Sequence, residues 1–126
     1  MNKPFLTIGM PTFDDYHGVY FSIQSLRMHH PEILNEIEII IIDNNPDSPH
    51  GKEAKHFSGS SSLIKYVPYK ESVGPANAKN QVFDEASGKY VLCMDGHILF
   101  EPGAIKKLID VYKENPDTDD LYQGPL

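Results

Sequence analysis

The chain has 126 residues, one domain at roughly 100–200 residues per domain, and its 40% apolar and 23% charged content describes a chain that folds around a core. Eighteen acidic against eleven basic side chains leave a net charge of −7, which argues against a nucleic-acid partner bound by phosphate neutralisation. The single cysteine, Cys93, excludes an internal disulfide and a multi-cysteine zinc site.

No apolar run approaches the roughly 20 residues of a membrane span, so no transmembrane segment is expected. Thr7, Gly9 and Pro11 interrupt the opening residues before any signal-type segment develops. These features describe a cytoplasmic, single-domain α/β protein.

Phe5 to Met10 is a short apolar run that Pro11 is expected to stop, which suits a buried strand. Asp14 and Asp15 follow as caps for a helix with Val19, Tyr20, Ile23 and Leu26 as its inward stripe, closed by Pro31. Its last histidines, His29 and His30, suit a helix C-terminus, where positive charge is favourable. Ile37 to Ile42 is β-branched apart from Glu38, the pattern of a central parallel strand covered on both faces. It stops in the turn-rich Asp43-Asn44-Asn45-Pro46-Asp47.

Residues 48–62 are polar and read as a mobile loop with one helical turn around Lys52 to Phe57. Leu63 to Val67 is a third strand. Pro75 to Ala86 reads as a helix with proline in its first turn and Gly88 just past its end. Tyr90 to Met94 is a fourth strand leading into Asp95-Gly96-His97. The final helix runs from about Pro102 to Lys113, and Leu121-Tyr122 begins a fifth strand.

Strands alternating with helices over short connections predict a parallel sheet with right-handed crossovers. Ligands of such sheets bind beyond the carboxyl ends of the strands. Four segments fall there: Pro11-Thr12-Phe13-Asp14-Asp15, Asp43-Asn44-Asn45, Tyr69-Lys70-Glu71 and Asp95-Gly96-His97. Asp95 and His97 offer an oxygen and a nitrogen donor on either side of a glycine that permits a tight turn, a set that suits Mn²⁺ better than Mg²⁺. With two protein ligands only, water or diphosphate oxygens complete the shell; the plain alternative is an Asp-Gly turn with no metal. Asp43 can accept from a base or a ribose hydroxyl, or can cap its own turn. Phe13 suits either a base or the core. Lys79, one turn into its helix, approaches the rim only if that helix starts beside the site. No Walker-type loop, G-x-G-x-x-G fingerprint or Gly-x-Ser-x-Gly elbow is present.

Taken together, these segments resemble the nucleotide-binding half of a GT-A-fold glycosyltransferase of family 2. Leu6-Thr7-Ile8-Gly9-Met10-Pro11-Thr12-Phe13-Asp14 is similar to the family's first strand and its Pro-Thr-Tyr-Asn turn. Ile39 to Asn45 is similar to the apolar strand ending in Asp-Asp or Asp-Asn, and Gly74 to Asn80 to the Gly-x-x-x-Ala-Arg-Asn segment. Ala86 to His97, followed by Pro102-Gly103-Ala104, is similar to the Gly-x-Tyr strand that delivers the Asp-x-Asp metal motif.

The resemblance implies a GT-A, Rossmann-like, mostly parallel sheet with helices on both faces. It also implies an enzyme that transfers the sugar of a UDP-sugar donor to an acceptor it does not identify. Pro11, Thr12, Phe13, Asp14 and Asp43 would surround the nucleoside, Lys79 would lie near the nucleotide, and Asp95 with His97 would hold Mn²⁺ (or Mg²⁺) against the diphosphate. Lys79 stands where arginine is usual, Asp14 where asparagine is commoner, and His97 replaces the second aspartate. The last change is similar to the Asp-x-His motif of the polypeptide N-acetylgalactosaminyltransferases. Leu126 falls about where the next strand is expected, so residues 1–126 would lack the acceptor-binding C-terminal part and its catalytic base. A non-catalytic nucleotide-sugar-binding or assembly module is the competing reading, with a nucleotidyltransferase third. Self-association, or a partner subunit, stays open.

Overall fold

The computed structural model describes residues 3–71 and 74–121, the side chain of Pro75 apart. Four strands, β1 (Leu6–Thr12), β2 (Ile37–Asp43), β3 (Ile64–Pro68) and β4 (Tyr90–Cys93), form one sheet in the order β3-β2-β1-β4. All three pairings are parallel, with Leu6 opposite both Ile37 and Tyr90. The helices are α1 (Tyr16–His29), α2 (Pro49–Ser58), α3 (Pro75–Glu85) and α4 (Ala104–Glu114), with a 3-10 segment over Pro31–Glu36.

Period-two alternation divides β2 between two cores. Ile37, Ile39 and Ile41 join Leu6, Ile8 and Met10 beneath residues of α1, α2 and α4. Ile40 and Ile42 face Ala78 and Val82 of α3 on the other side. Helices thus cover both faces, as a parallel sheet requires. Gly9 sits under α3, where a Cβ would fall 2.2 Å from Val82 Cγ1, so the helix approaches this closely only over a bare backbone.

Glu38 interrupts the aliphatic run of β2 for a reason. Its Oε1 accepts from Thr7 Oγ1 at 2.6 Å and from Ser87 N at 2.7 Å, and its Oε2 accepts from Ser87 Oγ at 2.7 Å. Gly88 N donates to Thr7 Oγ1, so the turn from α3 into β4 is tied to the amino end of the sheet. Burial alone would raise the Glu38 carboxyl, but the donors from Thr7 and Ser87 outweigh it and hold it below the ordinary value.

Beyond shifts of one or two residues at other element ends, three expectations are corrected. β1 runs through Pro11 to Thr12 rather than stopping at Met10. Met94 N donates to Gly9 O while Asn44 N donates to Thr12 O, so Pro11 turns its nitrogen toward the β4 side, where pairing has ended and no N–H is needed. Residues 49–58 form a ten-residue helix rather than a mobile loop with one turn. Ser48 caps it through Gly51 N, Pro49 begins it, and Ala54 and Phe57 bury three residues apart. Leu121 is not in a strand, and Tyr122 lies outside the described residues. Among the described residues no helix is long and apolar enough to cross a membrane.

Gly9→Ala is expected to destabilise the protein by about 1–3 kcal/mol through overpacking against Val82. Urea unfolding should show a lowered midpoint with an unchanged m-value.

Candidate functional site

All four predicted segments leave the carboxyl ends of the strands, and hydrogen bonds tie the loops after β1, β2 and β3 to one another. Asp15 caps α1 by accepting from Gly18 N at 2.9 Å, and Thr12 Oγ1 donates to the Asp15 carbonyl at 3.4 Å. Between them the chain turns through Asp14, which has φ +53°, a left-handed conformation that aspartate and asparagine tolerate better than most residues. Asp14 Oδ1 accepts from Asn45 Nδ2 at 3.0 Å, strapping the β1–α1 turn to the β2–α2 turn. Phe13 is 53% exposed at this rim and takes no place in the core.

Asp43 is buried to 1% exposure at the end of β2. Its Oδ1 accepts from Asn45 N at 3.0 Å and its Oδ2 from the Tyr66 hydroxyl at 2.6 Å. The carboxyl group therefore caps its own turn, the alternative reading of this residue. Burial pushes the Tyr66 phenol well above the ordinary tyrosine value, and Asp43 adds to the rise. The β3 exit is drawn in as well: Tyr69 N donates to Asp43 O, Asn44 Nδ2 donates to Tyr69 O, and Lys70 pairs with Asp47 at 2.6 Å.

Asp95 and His97 are exposed, on either side of a buried Gly96. Gly96 lies over the start of α1: a Cβ there would be 3.0 Å from Val19 Cγ2, and a Cβ on Gly18 would be 2.4 Å from Gly96 O. The chain then runs along α1. Ile98 N donates to Ser22 Oγ at 2.8 Å, Phe100 N to Ser25 Oγ at 2.9 Å, and Ile105 N to His30 Nε2 at 3.0 Å. A carboxylate oxygen and an imidazole nitrogen, exposed with one residue between them, are donor types that suit a first-row divalent cation. Among the described residues no group of three or more His, Cys, Asp or Glu side chains is arranged to hold a metal by itself.

Lys79 is exposed on α3, which begins at this rim after Gly74 at φ +129°. Its charge reaches Cys93: burial raises the thiol pKa and Lys79 opposes the rise. Ser72 and Val73 are outside the described residues.

His30 departs from its expectation as a charged helix end. It is fully buried, and Nε2 accepts from Ile105 N. Burial holds its pKa below the ordinary value, with the Leu26 carbonyl and Glu32 pulling it partly back and His29 adding to the fall. Sequence reading also passed over Ser22, Ser25 and Tyr66. The signal available was two serines inside the buried stripe of α1, where an apolar residue is the norm.

A parallel sheet of order β3-β2-β1-β4 with helices on both faces is a Rossmann-like architecture, and it matches the GT-A fold. The sequence pattern described as "Glycosyl transferase family 2" matches residues 7–124, and the chain belongs to that family. The poly-beta-1,6-N-acetyl-D-glucosamine synthase of Staphylococcus epidermidis is 33% identical over 90 residues, 71% of this chain and 22% of that protein. The crystal structure of S. aureus TarS 1-349 in complex with UDP-GlcNAc matches with a TM-score of 0.74 at 15% identity, covering 94% of this chain and 37% of that one. The mannosyltransferase PcManGT from Pyrobaculum calidifontis, in complex with GDP-Man and Mn²⁺, matches at 0.69 with 19% identity over 90% of this chain and 32% of that one. The chain spans less than half the length of the curated relatives it matches.

His30 was neutral by geometry, so its contribution is present above the unfolded histidine pKa of about 6.5 and is lost as pH falls below it. The midpoint of urea unfolding should fall between pH 7 and pH 5, and His30→Gln, which keeps an acceptor but does not titrate, should flatten that slope. Tyr66→Phe leaves the buried Asp43 carboxyl short of a donor and is expected to cost about 1–3 kcal/mol in the same assay.

Proposed function

We propose that this chain forms the donor side of a glycosyltransferase, binding a UDP-sugar through a divalent cation for transfer of the sugar to an acceptor. The observation that carries the reading is the placement of Asp95 and His97, exposed on a turn clamped over the start of α1, beside the β1 exit. Family membership supports transfer of a sugar. A fold neighbour bound to UDP-GlcNAc supports a nucleotide-sugar donor, and another in complex with Mn²⁺ supports the cation.

In this reading Asp95 and His97 hold Mn²⁺, with Mg²⁺ as the weaker fit to an oxygen-and-nitrogen donor pair. The cation, when bound, supplies Lewis-acid stabilisation of negative charge on the departing nucleoside diphosphate. The chain's own groups do the rest of the donor binding. Pro11, Thr12, Phe13 and Asp14 line the nucleoside side, with the half-exposed Phe13 ring offering a face to the base. Asp43 acts from beneath the nucleoside side by fixing the Asn44-Asn45 turn. Lys79 places a positive charge near the diphosphate, as a single flexible ammonium rather than a planar fork.

Titration calorimetry with UDP, with and without Mn²⁺, tests the reading. The wild type should bind more tightly when Mn²⁺ is present, and Asp95→Ala should lose that gain while still binding UDP alone. Identical isotherms for the two proteins would remove the metal site.

A further inference from the structure

The strand β4 ends at Cys93 and the next helix begins at Ala104, so the segment carrying Asp95 and His97 belongs to no regular element. Left free, such a segment would spend binding energy on its own ordering each time it closed on a cation. It is held instead by side chains on the inward face of α1. Ser22 is fully buried and Ser25 is 7% exposed, and both spend their hydroxyl oxygens on the backbone of this segment rather than on the core around them. The peptide N–H gripped by Ser22 is that of Ile98, which closes the peptide plane leading directly out of His97. The serines are three residues apart on the helix and their acceptors meet amides two residues apart on the segment, so the segment lies along the helix in register.

We propose that Ser22, seconded by Ser25, is a positioning residue for the cation-binding pair: through the Ile98 and Phe100 amides it fixes the backbone that aims His97, and with it Asp95, at a common ion. This rests on the donor-side reading above. Groups that orient metal ligands without touching the metal typically account for 10–100-fold in metal affinity. Ser22 stands one peptide from a ligand and Ser25 three residues away, so the two effects are graded.

The test measures UDP affinity with and without Mn²⁺, together with amide hydrogen exchange at Ile98 and Phe100, in the wild type, Ser22→Ala, Ser25→Ala and Ser22→Thr. The expected result is a roughly 10–100-fold loss of the Mn²⁺-dependent gain in Ser22→Ala, a smaller loss in Ser25→Ala, and unchanged UDP affinity without metal. Protection of the Ile98 amide should fall in Ser22→Ala and that of Phe100 in Ser25→Ala, while Ser22→Thr, which keeps the oxygen, should retain both gain and protection. If Ser22→Ala fails to fold, Ser25→Ala and Ser22→Thr decide the matter by the same two readouts. A wild type with a clear Mn²⁺-dependent gain that both alanine variants keep overturns the positioning role alone. A wild type without that gain overturns the donor-side reading and the positioning role together.

Discussion

A Cβ on residue 18 would lie 2.4 Å from the Gly96 carbonyl oxygen and 2.3 Å from Asp15 Oδ2, so the first turn of α1 and the exit of β4 meet only because both backbones are bare there. That contact sets the geometry of the rim. It fixes the height at which Asp95 and His97 leave the sheet and seats Gly96 on Val19. It also starts the segment along α1, where Ser22, Ser25 and His30 take successive amides. Asp15 serves the same junction from the other side by capping α1 through Gly18 N.

The rest of the rim is built by polar groups with assigned partners, the buried Asp43 among them. Asp43 and Tyr66 fix the end of β2 to β3. Asn45 reaches Asp14 and so couples the β2 exit to the β1 exit. At the opposite end of the sheet Glu38, Thr7 and Ser87 close the turn into β4. The sheet is thus pinned at both ends, while the two apolar layers on its faces supply most of the driving force for folding.

Membership of glycosyl transferase family 2 gives this framework its functional sense. Parallel sheets of this kind present ligands with loop residues at the strand ends, and the strand order dictates which loops become neighbours. Here β1 is central, with β2 on one side and β4 on the other, so the β1 exit stands between the Asp43 turn and the Asp95 turn. The rim is half-buried and hydroxyl-bearing at Thr12 and exposed at Asp95 and His97.

The sequence by itself determined the alternation of strands and helices, the buried aliphatic β2 and the four segments at the carboxyl rim. Each of these is written in local periodicity, proline and glycine placement, or a short motif. Residues 49–58 escaped because only two of the four buried residues, Ala54 and Phe57, carry apolar side chains, too few to show a helical period among polar neighbours. Pro11 was misjudged because whether a strand tolerates proline depends on what lies opposite its nitrogen, and that is a property of the sheet. Tertiary structure alone decided the roles of Ser22, Ser25, Glu38, Tyr66 and His30. Each meets its partner more than twenty residues away in the chain, and no local pattern records which distant amide or carboxyl a buried polar side chain will find.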